Sequence, residues 1–213
     1  MKEEELHDEL ASIRNIMERS SKFISLSGLS GILAGVYALI GATIAWFIIK
    51  DHPKAFAHTP PETFSFEIFF NLIAVVEYLI LIAVLVLFAS IITGVVLSIR
   101  KAKQKGESIW NKTSRLLLLN VAVPLLTGLA VIVLLYYKGD ITYTVPVMLI
   151  FYGLALFNAS NFTYTDVKYL GIIDIILGLA TAFFPQYSIW AWAVGFGVLH
   201  IVYGSIMYLK YDR

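Results

Sequence analysis

The chain has 213 residues, 59% hydrophobic and 15% charged, with a formal net charge of +1 and no cysteine. Its mean hydropathy of +0.79 is more than one soluble core of this size can hide, so the composition points to a single polytopic membrane domain. The missing cysteine excludes disulfides, thiolate metal sites, cysteine-ligated iron–sulfur clusters, c-type haem attachment and S-palmitoylation, and the near-zero charge offers no basic domain for nucleic acid.

Residues 1–22 form the first predicted element. Leu6, Leu10, Ile13 and Met17 recur at helical spacing, Ile16 widens the stripe, and charged residues fill the rest. This is an amphipathic helix by period. Its six acids outnumber its four basic residues, so anionic lipid repels it and a membrane-surface role is disfavoured. Two readings stand: an extension of the first membrane helix packed on the bundle's own loops, or a short helix that docks a cytoplasmic partner or self-associates. The acidic approach and the long apolar run behind it argue against a cleaved signal peptide, although Ala55-Phe56-Ala57 has the look of a cleavage site.

Six apolar stretches follow, at 23–49, 66–99, 116–137, 145–157, 167–184 and 189–209. Most reach or approach the roughly 20 residues a helix needs to cross a hydrocarbon core. The predicted fold is therefore all-α: six transmembrane helices over 23–213, preceded by the cytoplasmic helix 1–22. The fourth stretch is the weakest, and losing it would leave five spans.

The loops sort by charge. Arg100, Lys101, Lys103, Lys105, Lys112 and Arg115 stand against Glu107 alone after the second stretch. The positive-inside rule makes this loop cytoplasmic, and alternation then places both termini inside. Trp46, Tyr136, Tyr137, Tyr143, Tyr187 and Trp190 gather at the predicted outer ends, and Trp110, Tyr164, Tyr169 and Tyr208 at the inner ends. The Asn-x-Ser/Thr triplets at Asn111, Asn158 and Asn161 all fall in cytoplasmic loops, where glycosylation is not expected.

Small residues mark packing faces. The first helix carries Ser27, Gly31 and Gly35, the second Ser90, Gly94 and Ser98, the fifth Gly171, Gly178 and Ala182, and the sixth Ala193, Gly197 and Gly204. Such residues let backbones approach closely in lipid. Pro124, one turn after Asn120, is expected to kink the third helix.

Three ionisable residues stand out well inside the apolar stretches: Glu77, Asp174 and His200. A charge at mid-bilayer costs about 2.5–3.5 kcal/mol, so these are the candidate intramembrane polar site. Asp174 and His200 lie equally far from Tyr187, in the turn joining the last two helices. In an antiparallel hairpin that puts them at one depth, and their glycine stripes turn both toward protein. A direct or single-water hydrogen bond between them is expected. It is read either as a structural lock between two helices or as part of a proton or ion pathway. Glu77 has two readings: solvated at the outer interface if the membrane core ends near Arg100, buried if the helix sits lower.

No nucleotide-loop, zinc-protease or serine-hydrolase motif occurs. No cofactor, metal site or catalytic residue is assigned. Residues 17–31 (Met-Glu-Arg-Ser-Ser-Lys-Phe-Ile-Ser-Leu-Ser-Gly-Leu-Ser-Gly) and 195–208 (Gly-Phe-Gly-Val-Leu-His-Ile-Val-Tyr-Gly-Ser-Ile-Met-Tyr) resemble a family of small, uncharacterised bacterial six-helix integral membrane proteins. The resemblance implies a bacterial inner membrane and adds no activity. Two functions are expected from these features. One is a non-enzymatic sensing, regulatory or partner-binding membrane module. The other is a small proton- or ion-coupled transporter using Asp174 and His200.

Overall fold

A computed structural model of the chain describes residues 27–53, 66–104, 106, 108 and 110–212. The predicted amphipathic helix at 1–22 lies outside the described residues, as does most of the 50–65 loop. Among the described residues the fold is all-helical. The elements in chain order are α1 (Gly28–Asp51), α2 (Phe66–Gln104), α3 (Lys112–Tyr137), α4 (Thr144–Ala159), α5 (Val167–Phe183) and α6 (Pro185–Asp212).

The clearest local start and stop signals belong to α3. Asn111 caps α3 by accepting from the Ser114 amide at 2.8 Å, while the Asn111 amide donates to Ser114 Oγ at 3.0 Å. That reciprocal pair satisfies two otherwise orphaned donors. The helix stops at Gly139, whose φ of +72° lets the Asp140 amide donate back to the Leu135 carbonyl at 3.0 Å, closing a Schellman turn. Pro124 sits inside α3 and is buried, within one uninterrupted helix. Several serine and threonine hydroxyls inside the apolar helices are satisfied on their own backbone, as where Ser90 donates to Val86 and Thr181 to Leu177.

α1, α2, α3 and α6 are long and apolar enough to cross a membrane. The other two are shorter: α4 has 16 residues and α5 has 17, or about 24–26 Å of rise against a hydrocarbon core of about 30 Å. Large apolar side chains cover the outside of the bundle, among them Leu85, Phe88 and Ile92 on α2.

The pairing of helices differs from the expected hairpin. α5 packs chiefly on α4, and α6 chiefly on α1, with far less contact between α5 and α6. Backbone proximity explains the choice. A methyl group added to Gly171 would stand 2.6 Å from the Gly153 carbonyl oxygen, and one added to Gly153 would stand 2.5 Å from that of Gly171. On the other side, a methyl at Gly204 would meet the Ile32 amide at 2.5 Å, and one at Gly35 the Gly197 carbonyl at 2.5 Å. The small-residue stripes of α1, α5 and α6 are thus real seams: that of α5 joins α4, the helix before it, and those of α1 and α6 join each other. The α2 stripe is different: among the described residues nothing lies within 4 Å of a methyl group at Gly94.

One end of the bundle is tied by polar contacts. Lys101, at the end of α2, pairs with Asp212, at the end of α6. Asp212 also accepts from the Gly28 amide at 2.8 Å and from Ser27 Oγ at 3.1 Å. Asp166, just before α5, accepts from Lys210 at 2.7 Å and from the Tyr211 hydroxyl at 2.9 Å. The start of α1, the end of α2, the start of α5 and the end of α6 therefore share one end. Tyr164, expected at an interface, is instead buried here, its ring 4.1 Å from that of Tyr211.

Candidate functional site

Where α6 passes between α1 and the α4–α5 pair, its backbone departs from regular helix. Residues Ala193–Val198 form a π-helical turn, and the Leu199 amide reaches the Val194 carbonyl, five residues back. Such turns interrupt the normal ladder and often occur at functional sites. Gly195 lies within it. A methyl there would collide with the Leu149 side chain of α4 and stand 3.2 Å from Asp174 Oδ1 of α5. Only a glycine admits both neighbours.

His200 sits one turn further along α6 and is buried. Its Nδ1 lies 2.9 Å from the Gly195 carbonyl oxygen. A carbonyl can only accept, so Nδ1 carries the hydrogen and donates. In the neutral ring Nε2 is then the acceptor, and it takes a hydrogen bond from the Tyr152 hydroxyl of α4 at 2.6 Å. The Tyr152 ring also packs against Phe196, centroid to centroid 5.1 Å. Both imidazole nitrogens are therefore satisfied, and α6 is locked to α4.

Asp174 is fully buried, at 0% exposure, and among the described residues neither carboxylate oxygen has a hydrogen-bond partner. The expected direct bond from Asp174 to His200 is not made. Gly195, in the π turn, lies against Asp174 instead, and His200 bonds to Tyr152. An ionised carboxylate without a partner costs several kcal/mol to bury, far more than the neutral acid. The closed seam therefore holds Asp174 as the neutral carboxylic acid.

Tyr152 and Gly195 are the site residues the sequence reading missed. Tyr152 carried a usable signal, since a tyrosine in the middle of an apolar helix must find a partner for its hydroxyl. Gly195 carried none beyond its small size. Tyr203, one turn beyond His200, is a third addition: its hydroxyl is buried without a partner. Its ring lies against the buried cluster of Tyr164, Val167 and Met207 at the tied end of the bundle. Glu77 takes no part in these contacts. It is exposed on α2, which packs chiefly on α1. Among the described residues no three His, Asp or Glu side chains converge.

No protein-family model, curated protein or solved structure matches this chain.

Proposed function

We propose that the chain is a multi-pass protein of the bacterial inner membrane, with six helices in the bilayer and both termini cytoplasmic. We take it to act as a non-enzymatic sensing or regulatory module. The resemblance of residues 17–31 and 195–208 supports the compartment. Four helices of sufficient length and an apolar outer surface support the membrane. An even number of crossings is supported by the contacts of Asp212 with Lys101, Ser27 and Gly28, which bring both ends of the described chain beside the basic 100–115 segment. The short helices α4 and α5 fit a locally thinned bilayer, a modest cost for a few ångströms of mismatch. With Arg100 at the inner boundary, Glu77 stands 23 residues away along α2, about 34 Å, and reaches the outer interface.

The observation that carries the functional part is Asp174. A polar residue kept only to lock helices is normally hydrogen-bonded, whereas this carboxyl is buried with neither oxygen engaged. It lies where α6 meets the α4–α5 pair, and α6 ends beside Ser27 and Gly28 at the start of α1. That continuity favours a module in which the intramembrane cluster and the segment 1–22 influence one another, with 1–22 as the docking element for a partner. The same carboxyl favours the second reading, a proton- or ion-coupled transporter using Asp174 and His200.

Single cysteines test the placement cleanly, because the chain has none of its own. Lys138→Cys should react with a membrane-impermeant thiol reagent in intact cells, and Lys103→Cys should not. Labelling of Lys103→Cys from outside overturns the orientation. Proteoliposomes separate the two functions. Flux abolished by Asp174→Asn makes the protein a transporter, whereas a module gives no flux and loses a bound cytoplasmic protein when residues 1–18 are deleted.

A further inference from the structure

The outward faces of the bundle differ in apolar height. On α2 the exposed residues Leu81, Leu85, Phe88, Ile92 and Val96 recur at three- and four-residue spacing, between the exposed charges Glu77 and Arg100. Those charges stand 23 residues apart, about 34 Å of rise. α5 carries a second exposed stripe, Tyr169, Ile173, Ile176, Leu179 and Phe183, but the whole helix has 17 residues, about 26 Å. Exposed Lys168 closes that stripe at one end and exposed Gln186 at the other. α4 is equally short but contributes little to the surface, since Leu154 is its one exposed large apolar side chain among the described residues. The short apolar face therefore belongs to α5.

Neither end of α5 is free to grow. Phe184 leaves the helix at φ −130° and ψ 66°, and the proline that follows disfavours helix at that position. At the other end Tyr164 is buried against Tyr211, and Asp166 is held by Lys210 and Tyr211. A long helix fits thinner hydrocarbon by tilting, and about 28° brings 34 Å down to 30 Å, inside the ordinary range. Tilt only shortens a projection, so α5 has no such remedy. Drawing Lys168 and the Asp166 cluster into hydrocarbon costs far more than deforming lipid. The bilayer yields instead, and it yields on this face. We propose that the exposed face of α5 is a lipid-binding surface selective for phospholipids with short acyl chains, an inference that rests on the six-span placement above. Lipid fits this face better than a second copy of the chain does. The glycines of α5, Gly171 and Gly178, both lie against α4, so the outer stripe has none for close backbone approach by another helix.

The test uses the full chain in vesicles of mixed dimyristoleoyl and dierucoyl phosphatidylcholine, with one lipid and then the other brominated. A fluorophore on a single cysteine reports which bromine-bearing chains lie beside it, normalised to quenching in each pure lipid. Ile176→Cys places the reporter mid-way along the α5 stripe, and Ile173→Cys repeats the reading one turn away if the first variant folds poorly. Leu85→Cys places it on α2. On α5 the short-chain lipid should be enriched by about twofold over its bulk share, since mismatch costs are modest. On α2 it should not be enriched. Equal partition at both α5 positions overturns the proposal. So does the same enrichment at Leu85→Cys, which would make the preference a property of the whole bundle. Absence of quenching by either lipid on α5 also overturns it, because protein, such as a second copy, then covers that face. The thiol accessibility of Lys138→Cys and Lys103→Cys is read on separate samples, so failure of the membrane placement is distinguished from failure of the lipid preference.

Discussion

A methyl group at Gly171 should break the seam between α4 and α5. The added carbon would sit 2.6 Å from the Gly153 carbonyl oxygen and 2.8 Å from the Phe157 amide nitrogen, against 3.4 Å for ordinary contact. Both obstacles are backbone, so no rotamer change relieves them. α4 and α5 must part by about 0.8 Å, the difference between 3.4 and 2.6, and a gap of that size forfeits roughly a quarter to a half of each dispersion contact along the seam. Overpacking of this kind costs about 1–3 kcal/mol. Alanine recovers at most about 1 kcal/mol through its better helix propensity, and the loosened seam adds to the loss. Gly171→Ala should therefore destabilise by about 2–3 kcal/mol. Gly94→Ala is the control with the opposite sign. A methyl there meets nothing within 4 Å, so it should be neutral or stabilising by up to about 1 kcal/mol. Reversible unfolding in mixed micelles, followed by far-ultraviolet circular dichroism, measures both. Gly171→Ala within about 0.5 kcal/mol of the parent, the ordinary spread of surface changes, or equal to Gly94→Ala, would refute the close approach of α4 and α5.

Tyr152→Phe removes the donor to His200 Nε2 and should cost about 1–3 kcal/mol by stranding it. In double-mutant cycles Tyr152 and His200 should couple more strongly than Asp174 and His200 do, and the reverse order would contradict the observed bonding. Lys101→Met leaves the Asp212 carboxylate, whose side chain is only 9% exposed, without its counter-charge. The cost should lie near the lower end of the about 3–5 kcal/mol typical of a broken buried pair, because Ser27 and Gly28 still donate, and a thermal melt unchanged from the parent would count against the tie. The hydrogen bond from Lys210, and then that from Tyr211, holds the Asp166 carboxyl below its usual range. A carboxyl lowered on folding contributes stability above its unfolded value and loses it as pH falls through the folded one. Melting temperature should show a small acid-side loss that high salt weakens and Asp166→Asn removes. An acid limb that survives in Asp166→Asn would assign it elsewhere.

The helices were legible in the sequence because their causes are local. A run of apolar residues of sufficient length, stopped by Gly139 or by Pro185, gives each helix from its own composition. The predicted stretches 116–137 and 167–184 match Lys112–Tyr137 and Val167–Phe183 closely. The residues worth watching were legible too, since Asp174 and His200 are polar in apolar surroundings and stand out without any coordinates. The small-residue stripes of α1, α5 and α6 likewise showed which faces pack, whereas that of α2 did not.

What the tertiary structure alone decided is which partner each face meets. A stripe of small residues states that a backbone can come close, but in lipid every other apolar helix is an equally acceptable neighbour, so the choice belongs to the whole bundle. Gly171 chose Gly153 on α4, and Gly204 chose α1, although the turn at Pro185 makes α5 and α6 adjacent in the chain. The same freedom set the register of the polar cluster. One π turn at Ala193–Val198 moves α6 past the regular count, places Gly195 before Asp174 and hands His200 to Tyr152. That turn is a compromise among three packed helices, and no spacing within a single helix encodes it.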